Sequence, residues 1–187
     1  SWLADTDWQI IVESEETVLA GKIRAINTRL GVSLLITDLV YNEKNIFLRR
    51  IIVKNTRPDT ARPITFFFNQ QFEMYESHMA HTVYYDPTRK VIIHYRNRRA
   101  CLINAQIEGR GFNDYSTGVF GAEGKEGTHR DAEDGILAKN NIEHGQVDSV
   151  IGLSTAYQPL EEKLVYYWVA VGESISKVEQ LNDYTLE

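Results

Sequence analysis

Of cysteine, proline and methionine, the 187 residues hold only one, four and two. A single thiol cannot form an internal disulfide. Cys101 sits between Ala100 and Leu102-Ile103, the setting of a buried core group and not of a nucleophile. A reducing compartment is compatible with this, and a cytoplasmic location is the expectation. No N-x-[ST] acceptor occurs, and no apolar run approaches the roughly 18 residues of a membrane-spanning helix. A basic stripe is missing too. The net charge is −6, and the one basic cluster, Arg96, Arg98 and Arg99, falls where a hairpin turn is expected. Neither nucleic acid nor membrane is therefore an expected partner. An initiator methionine and a signal peptide are also lacking. The chain opens on Ser1-Trp2-Leu3, as a piece of a longer protein would.

What is present suits one well-filled β core. Hydrophobic residues make up 43% and charged residues 25%, proportions that give a globular domain, not a disordered one. Strands are predicted over 8–13, 17–26, 30–41 and 46–55, the last apolar on both faces as a central strand would be. Arg57-Pro58-Asp59 is turn chemistry, and Pro63 opens the strongly β-prone Ile64-Thr65-Phe66-Phe67-Phe68. A meander follows over 82–85, 90–95 and 98–103, turning at Asp86-Pro87 and Asn97. Residues 147–157 and 163–171 make a closing pair. Only the tail reads as helix, with Ser176 and Glu179 at capping-box spacing before Val178, Leu181 and Tyr184. About ten strands with no βαβ alternation predict an antiparallel β sandwich over 1–172 and a helix over 173–187.

One stretch departs from this pattern. From Gly118 to Gly135 five glycines alternate with a dense run of charge, and thirty irregular residues are expected to separate two strands. Long shaped loops on β scaffolds are where function concentrates. Several chemistries fail on spacing. Asp131 to Ile142 resembles a calcium loop, but its glycine comes one position early and position twelve is an isoleucine. Gly121, Gly124 and Gly127 lack dinucleotide spacing, and Gly124-Lys125 lacks the rest of a phosphate loop. His78 and His81 are three apart, but no third metal ligand is near them in sequence. No metal and no cofactor are expected. Among Glu126, Asp131, Glu133 and Asp134 a glycosidase pair could be found, since such enzymes set two carboxylates about 5–9.5 Å apart. The competing reading is structural: Asp131 or Thr128 caps a short helical turn, Asp134 sits in its first turn, and Lys125 and Arg130 neutralise the cluster.

The run Gly121-Ala122-x-Gly124-Lys125-Glu126-Gly127-Thr128-x-Arg130-Asp131-Ala132-Glu133-Asp134-Gly135, with Gly145-x-Val147-Asp148-Ser149 after it, resembles the N-terminal domain of glycoside hydrolase family fifteen proteins. These are the bacterial and archaeal glucoamylase-like and trehalase-like enzymes. Ser1-Trp2-Leu3-x-Asp5-x-Asp7-Trp8, Asn45-Ile46-Phe47-Leu48-Arg49-Arg50, Tyr85-Asp86-Pro87 and His94-Tyr95-Arg96 fit as well, so the likeness spans the chain. It implies an antiparallel β super-sandwich, lacking its first strands, followed by a linker helix into an (α/α)6 catalytic barrel. Both catalytic glutamates of such enzymes belong to that barrel, so no catalytic residue is expected here. The expected partners are the barrel of the same polypeptide and, through it, an α-glucan or trehalose. A homo-oligomer is left open. Lys125, Glu126, Thr128, Arg130, Asp131, Glu133 and Asp134 are the candidates for docking on the barrel. Tyr166 and Trp168, on the apolar run 164–171, are candidates for contact with a sugar or a domain. The alternative function is an α-glucan-binding module.

Overall fold

The computed structural model describes residues 1–14, 20–41, 43–76, 79–122 and 124–187. In chain order the elements are β1 (Gln9–Ser14), β2 (Ala20–Asn27), β3 (Val32–Tyr41), β4 (Ile46–Asn55), β5 (Arg62–Gln71), β6 (His81–Asp86), β7 (Val91–Arg96) and β8 (Arg99–Ile107). There follow β9 (Arg110–Gly111), β10 (Asp114–Ala122), β11 (Lys125–Glu126), α1 (Thr128–Asp131), a 3-10 turn (Ala132–Asp134), β12 (Ile142–Gly145), β13 (Val147–Tyr157), β14 (Glu162–Gly172) and α2 (Ile175–Leu186). Every described pairing is antiparallel.

Two sheets result. The larger runs β1-β2-β3-β4-β14-β8-β7-β6-β12, with β9 on β8; the smaller runs β11-β10-β13-β5. Strands β4 and β13 have the predicted bounds, and β4 lies between β3 and β14 as its two apolar faces require. Both meander turns form where proline and asparagine place them: the Asp86 carboxylate accepts from Thr88 N at 2.8 Å, and Asn97 takes a positive φ of 50°. The predicted second strand begins at 17, outside the described residues.

The 118–148 stretch is more regular than expected. Its first five residues finish β10, a short hairpin and two helical turns follow, and β12 pairs with β6. Glycines at 118 and 121 masked β10 in the sequence, because a pleated surface discourages them.

The sandwich core fills the space between the sheets. Ile64, Ile151, Leu153 and Tyr157 of the small sheet meet Ile51, Val53, Ile92, Ile103, Val165 and Val169 of the large one. Phe68 stacks on Tyr167 with ring centroids 4.6 Å apart. Burial raises the phenol pKa of Tyr167, so it stays neutral.

The outer face of the large sheet has its own cover. Alternate residues of β14 point the other way, and Trp168 and Ala170 join Leu102, Ile93, Val178 and Leu181 beneath α2. The two apolar faces of 164–171 are thus satisfied largely within the chain, by the core on one side and α2 on the other. Trp168 is 1% exposed and its indole N–H donates to Asn182 Oδ1 at 3.1 Å. It therefore presents no face to a sugar or a neighbouring domain. The helix starts earlier than the capping-box spacing suggested: Ser174, not Ser176, is the N-cap, and its hydroxyl accepts from Lys177 N. Val178 and Leu181 are buried as predicted, while Tyr184 stays 47% exposed beside Tyr41.

Candidate functional site

The charged segment wraps the outer face of the small sheet. β10 carries the chain up to the β10–β11 hairpin, and α1 then folds back over β13. Ala132 and Leu137 pack on Val150, with Trp2 and Phe67 beside them, so the segment is held by an apolar underside. Its charged side faces out. The loop and α2 therefore lie on opposite faces of the sandwich.

One buried carboxylate pins it. Asp148, on β13, is 0% exposed, and its Oδ2 accepts from Thr128 N at 2.6 Å, Thr128 Oγ1 at 2.8 Å and Asn69 Nδ2 at 3.2 Å. Asp148 thus supplies from a neighbouring strand the cap that the sequence assigned to Thr128 or Asp131. Gly127 precedes the helix with a φ of 105°, and a Cβ there would lie 2.8 Å from Asp148 Oδ2. A Cβ on Gly118 would lie 2.6 Å from Thr128 Cγ2. These two glycines are what let the helix sit down on the carboxylate. Thr128 is accordingly buried and turned inward.

The four remaining loop carboxylates find their partners within the segment itself. Arg130 Nε meets Glu126 Oε2 at 2.9 Å, and its Nη1 donates to Glu133 Oε1 at 2.7 Å. Those two carboxylates raise the Arg130 pKa, Glu133 first. Asp131 Oδ2 accepts from Ala138 N at 2.9 Å and Asp134 Oδ1 from Ile136 N at 2.9 Å. Lys125 is exposed at the hairpin. The acid cluster is therefore built into the loop: two carboxylates clamp an arginine and two close turns. Tyr166 is half-buried on the α2 side of β14.

Sequence reasoning did not identify a second polar group, inside the core. His94 Nε2 lies 2.8 Å from Ser149 Oγ, whose hydroxyl donates to Gln70 Oε1 at 2.9 Å; the imidazole is therefore the Nε2–H tautomer. His94 and Ser149 are both 0% exposed, so this serine–histidine pair is core architecture without access to substrate. Burial, with His81 nearby, lowers the His94 pKa to about 3. Burial pushes the Cys101 thiol up to about 11, which keeps it unreactive. Among the described residues no group of three or more histidine, cysteine or acidic side chains could hold a metal ion, and His78 lies outside them. Among the described residues no helix is long and apolar enough to cross a membrane.

A groove of about 920 Å³ runs along β5. Its walls are the N-terminal arm with Trp2 and Trp8, the inner faces of β3 and β4, and the turn Ala132–Gly135. The arm is tied down by Asp7, which accepts from Ser1 Oγ at 2.8 Å and Arg29 Nε at 3.2 Å. Those bonds, Arg29 foremost, hold the Asp7 carboxyl well below the usual carboxylate range.

No family model matches the sequence, and no curated protein matches it significantly. Among solved structures, a bacterial glucoamylase complexed with acarbose superposes with a TM-score of 0.74 at 11% identity, over 97% of this chain and 26% of that one. A chain described as a kojibiose phosphorylase from the human microbiome superposes with a TM-score of 0.45 at 10% identity, over 96% of this chain and 24% of that one. This chain spans about a quarter of the length of either. The antiparallel sandwich is thus a fold shared with part of a glucoamylase.

Proposed function

We propose that this chain is the non-catalytic N-terminal β domain of a glucoamylase-type or trehalase-type hydrolase of glycoside hydrolase family fifteen, and that it supports a catalytic barrel following α2. The observation that carries the reading is the superposition of nearly the whole chain on about a quarter of a bacterial glucoamylase. The loop chemistry agrees with it. Glu126, Glu133, Asp131 and Asp134 are all engaged in holding the loop's own shape, whereas a glycosidase needs an acid and a base facing a cleft. The α-glucan-binding module is the weaker reading, since Trp168 is sealed under α2.

The charged loop is the proposed contact with the barrel, through Lys125, Glu126, Arg130, Asp131, Glu133 and Asp134. Thr128 acts from below by fixing the loop to Asp148. Because α2 leaves from the opposite face, a barrel touching both must straddle an edge of the sandwich. Replacing Arg130 by alanine in the longer enzyme tests this. Its thermal melting should fall further there than in the 187-residue chain, with activity per folded molecule reduced. Equal destabilisation in both, with unchanged activity, would leave the loop a purely local structure.

A further inference from the structure

The large sheet has two ends, and they are finished differently. At one, β12 is four residues long and turns Glu143 inward, half-buried, where its carboxylate accepts from Asn140 Nδ2 at 2.7 Å. A short strand with an inward charge is a poor template for further pairing. At the other end β1 has six residues in unbroken register with β2, and it carries no proline, no lysine and no bulge. Ile10, Ile11 and Val12 are 46%, 54% and 71% exposed, and among the described residues β1 pairs with β2 alone.

The ladder determines which groups lie on that free edge. Val171 N donates to Asn45 O and Asn55 N to Glu161 O, so odd-numbered residues of β4 bond β14. Thr56 N donates to Gly31 O, so even-numbered residues of β4 bond β3. Carried through β3 and β2 without a register shift, the alternation gives Gln9, Ile11 and Glu13 to β2. The N–H and C=O of Ile10 and Val12 therefore point away from the sheet. Their side chains lie on its inner face, Ile10 in line with Ala25 and Leu34, Val12 in line with Ile23 and Ile36. Ile11 lies on the outer face, in line with Arg24 and Leu35.

This edge is self-complementary. A second copy, turned about a two-fold axis through Ile11, runs antiparallel to the first. Ile11 then faces Ile11, Ile10 faces Val12 and Gln9 faces Glu13, each on the matching face of the sheet. Ile10 and Val12 exchange both backbone bonds, and the two Ile11 side chains meet at a close, non-hydrogen-bonded position. Moving the axis one residue either way sets Ile11 against Gln9 or Glu13.

We propose that β1 pairs with β1 of a second copy of this chain, joining two large sheets into one. The contact is isologous and uses both free edges, so it closes as a dimer. Six residues a side make less than a standard interface, so association over about 10–1,000 μM is expected. The dimer is independent of the hydrolase reading above and leaves the groove along β5 untouched.

Sedimentation of the 187-residue chain across that range should show monomer, dimer and nothing larger. In the dimer, hydrogen exchange should slow about tenfold or more at the Ile10 and Val12 amides, while Ile11, already bonded to β2, is unchanged. Ile11→Lys sets two like charges on the axis and should leave a monomer. Its melting should match that of the parent chain, because Ile11 is exposed. Cysteine placement reads the register. Residues opposed at a non-hydrogen-bonded position have Cα atoms about 4.5 Å apart, whereas the two Val12 residues would lie about 8 Å apart, beyond disulfide reach. Ile11→Cys should therefore cross-link under mild oxidation and Val12→Cys should not; Cys101 is buried and does not compete. A chain monomeric throughout, a dimer that survives Ile11→Lys, or assembly beyond a dimer overturns the proposal. So does cross-linking of Val12→Cys equal to that of Ile11→Cys. A longer enzyme whose Ile10 and Val12 amides are slow at every concentration without a dimer also overturns it, since its own chain would then cover β1.

Discussion

Replacing Asp148 with alanine should cost more stability than any other single change in the charged loop. The variant orphans two buried donors, Thr128 N–H and Thr128 Oγ–H, which now meet Oδ2 at 2.6 and 2.8 Å. The third donor is spared, because Asn69 Nδ2 also has Thr128 Oγ1 at 3.0 Å and Ser149 O at 3.1 Å. Each orphaned donor costs about 1–3 kcal/mol. Part of this is offset, since Asp148 Oδ1 is buried without a partner and its desolvation is relieved. A net loss of about 3 kcal/mol follows, or roughly 6–12 °C in melting temperature for a domain of this size. Thr128→Val, which keeps the shape and the backbone bond, should lose about 1 kcal/mol. Glu133→Ala breaks an exposed ion pair and should stay within about 0.5 kcal/mol. Urea denaturation of the three variants side by side measures this. If Asp148→Ala were no worse than Glu133→Ala, the carboxylate would not be what holds the loop to the sandwich.

The buried His94 makes stability depend on pH. With its folded pKa depressed to about 3, the unfolded chain takes the proton first, so stability is present above about pH 6.5 and is lost as the pH falls. Between pH 7 and pH 5 urea melts should show a loss of about 2 kcal/mol, which a His94→Gln variant should largely lack. Beneath α2, Asn182 Oδ1 accepts from both Trp168 Nε1 and Asn104 Nδ2. Asn182→Ala should therefore destabilise by about 2–4 kcal/mol in the same assay, by leaving two buried donors unmet. Maltooligosaccharides should give no saturable calorimetric signal with the isolated chain, and one abolished by Tyr166→Ala would promote the binding-module reading.

Strand alternation and turn chemistry made most of the sandwich legible in the sequence, because both act within a few residues. Runs such as 46–55 and 147–157 announced their own length and burial. Strand β10 stayed hidden because the glycines that weaken its β signature serve a distant need, the close approach of Thr128 to Asp148. The helix cap illustrates the same limit: Ser174 and Ser176 are both competent hydroxyls, and only the exit of β14 decides between them. Trp168 was misread for a related reason. An apolar strand face looks uncovered until the helix that follows folds back on it. The loop carboxylates found partners two to seven residues away, Arg130 among them as the sequence suggested, but the contacts that fix the loop and the core network were set by three-dimensional proximity. Asp148 lies twenty residues beyond Thr128, and His94 lies fifty-five before Ser149.

The central claim is that these residues support catalysis without performing it. Glucose release from maltotriose, maltose and trehalose by the purified 187-residue chain, compared with the longer enzyme that contains it, tests this most directly. The account predicts no turnover by the chain alone and hydrolysis of at least one of the three by the longer enzyme. Glucose release by the isolated chain that disappears on Asp131→Asn or Glu133→Gln would contradict it and place the chemistry in the loop.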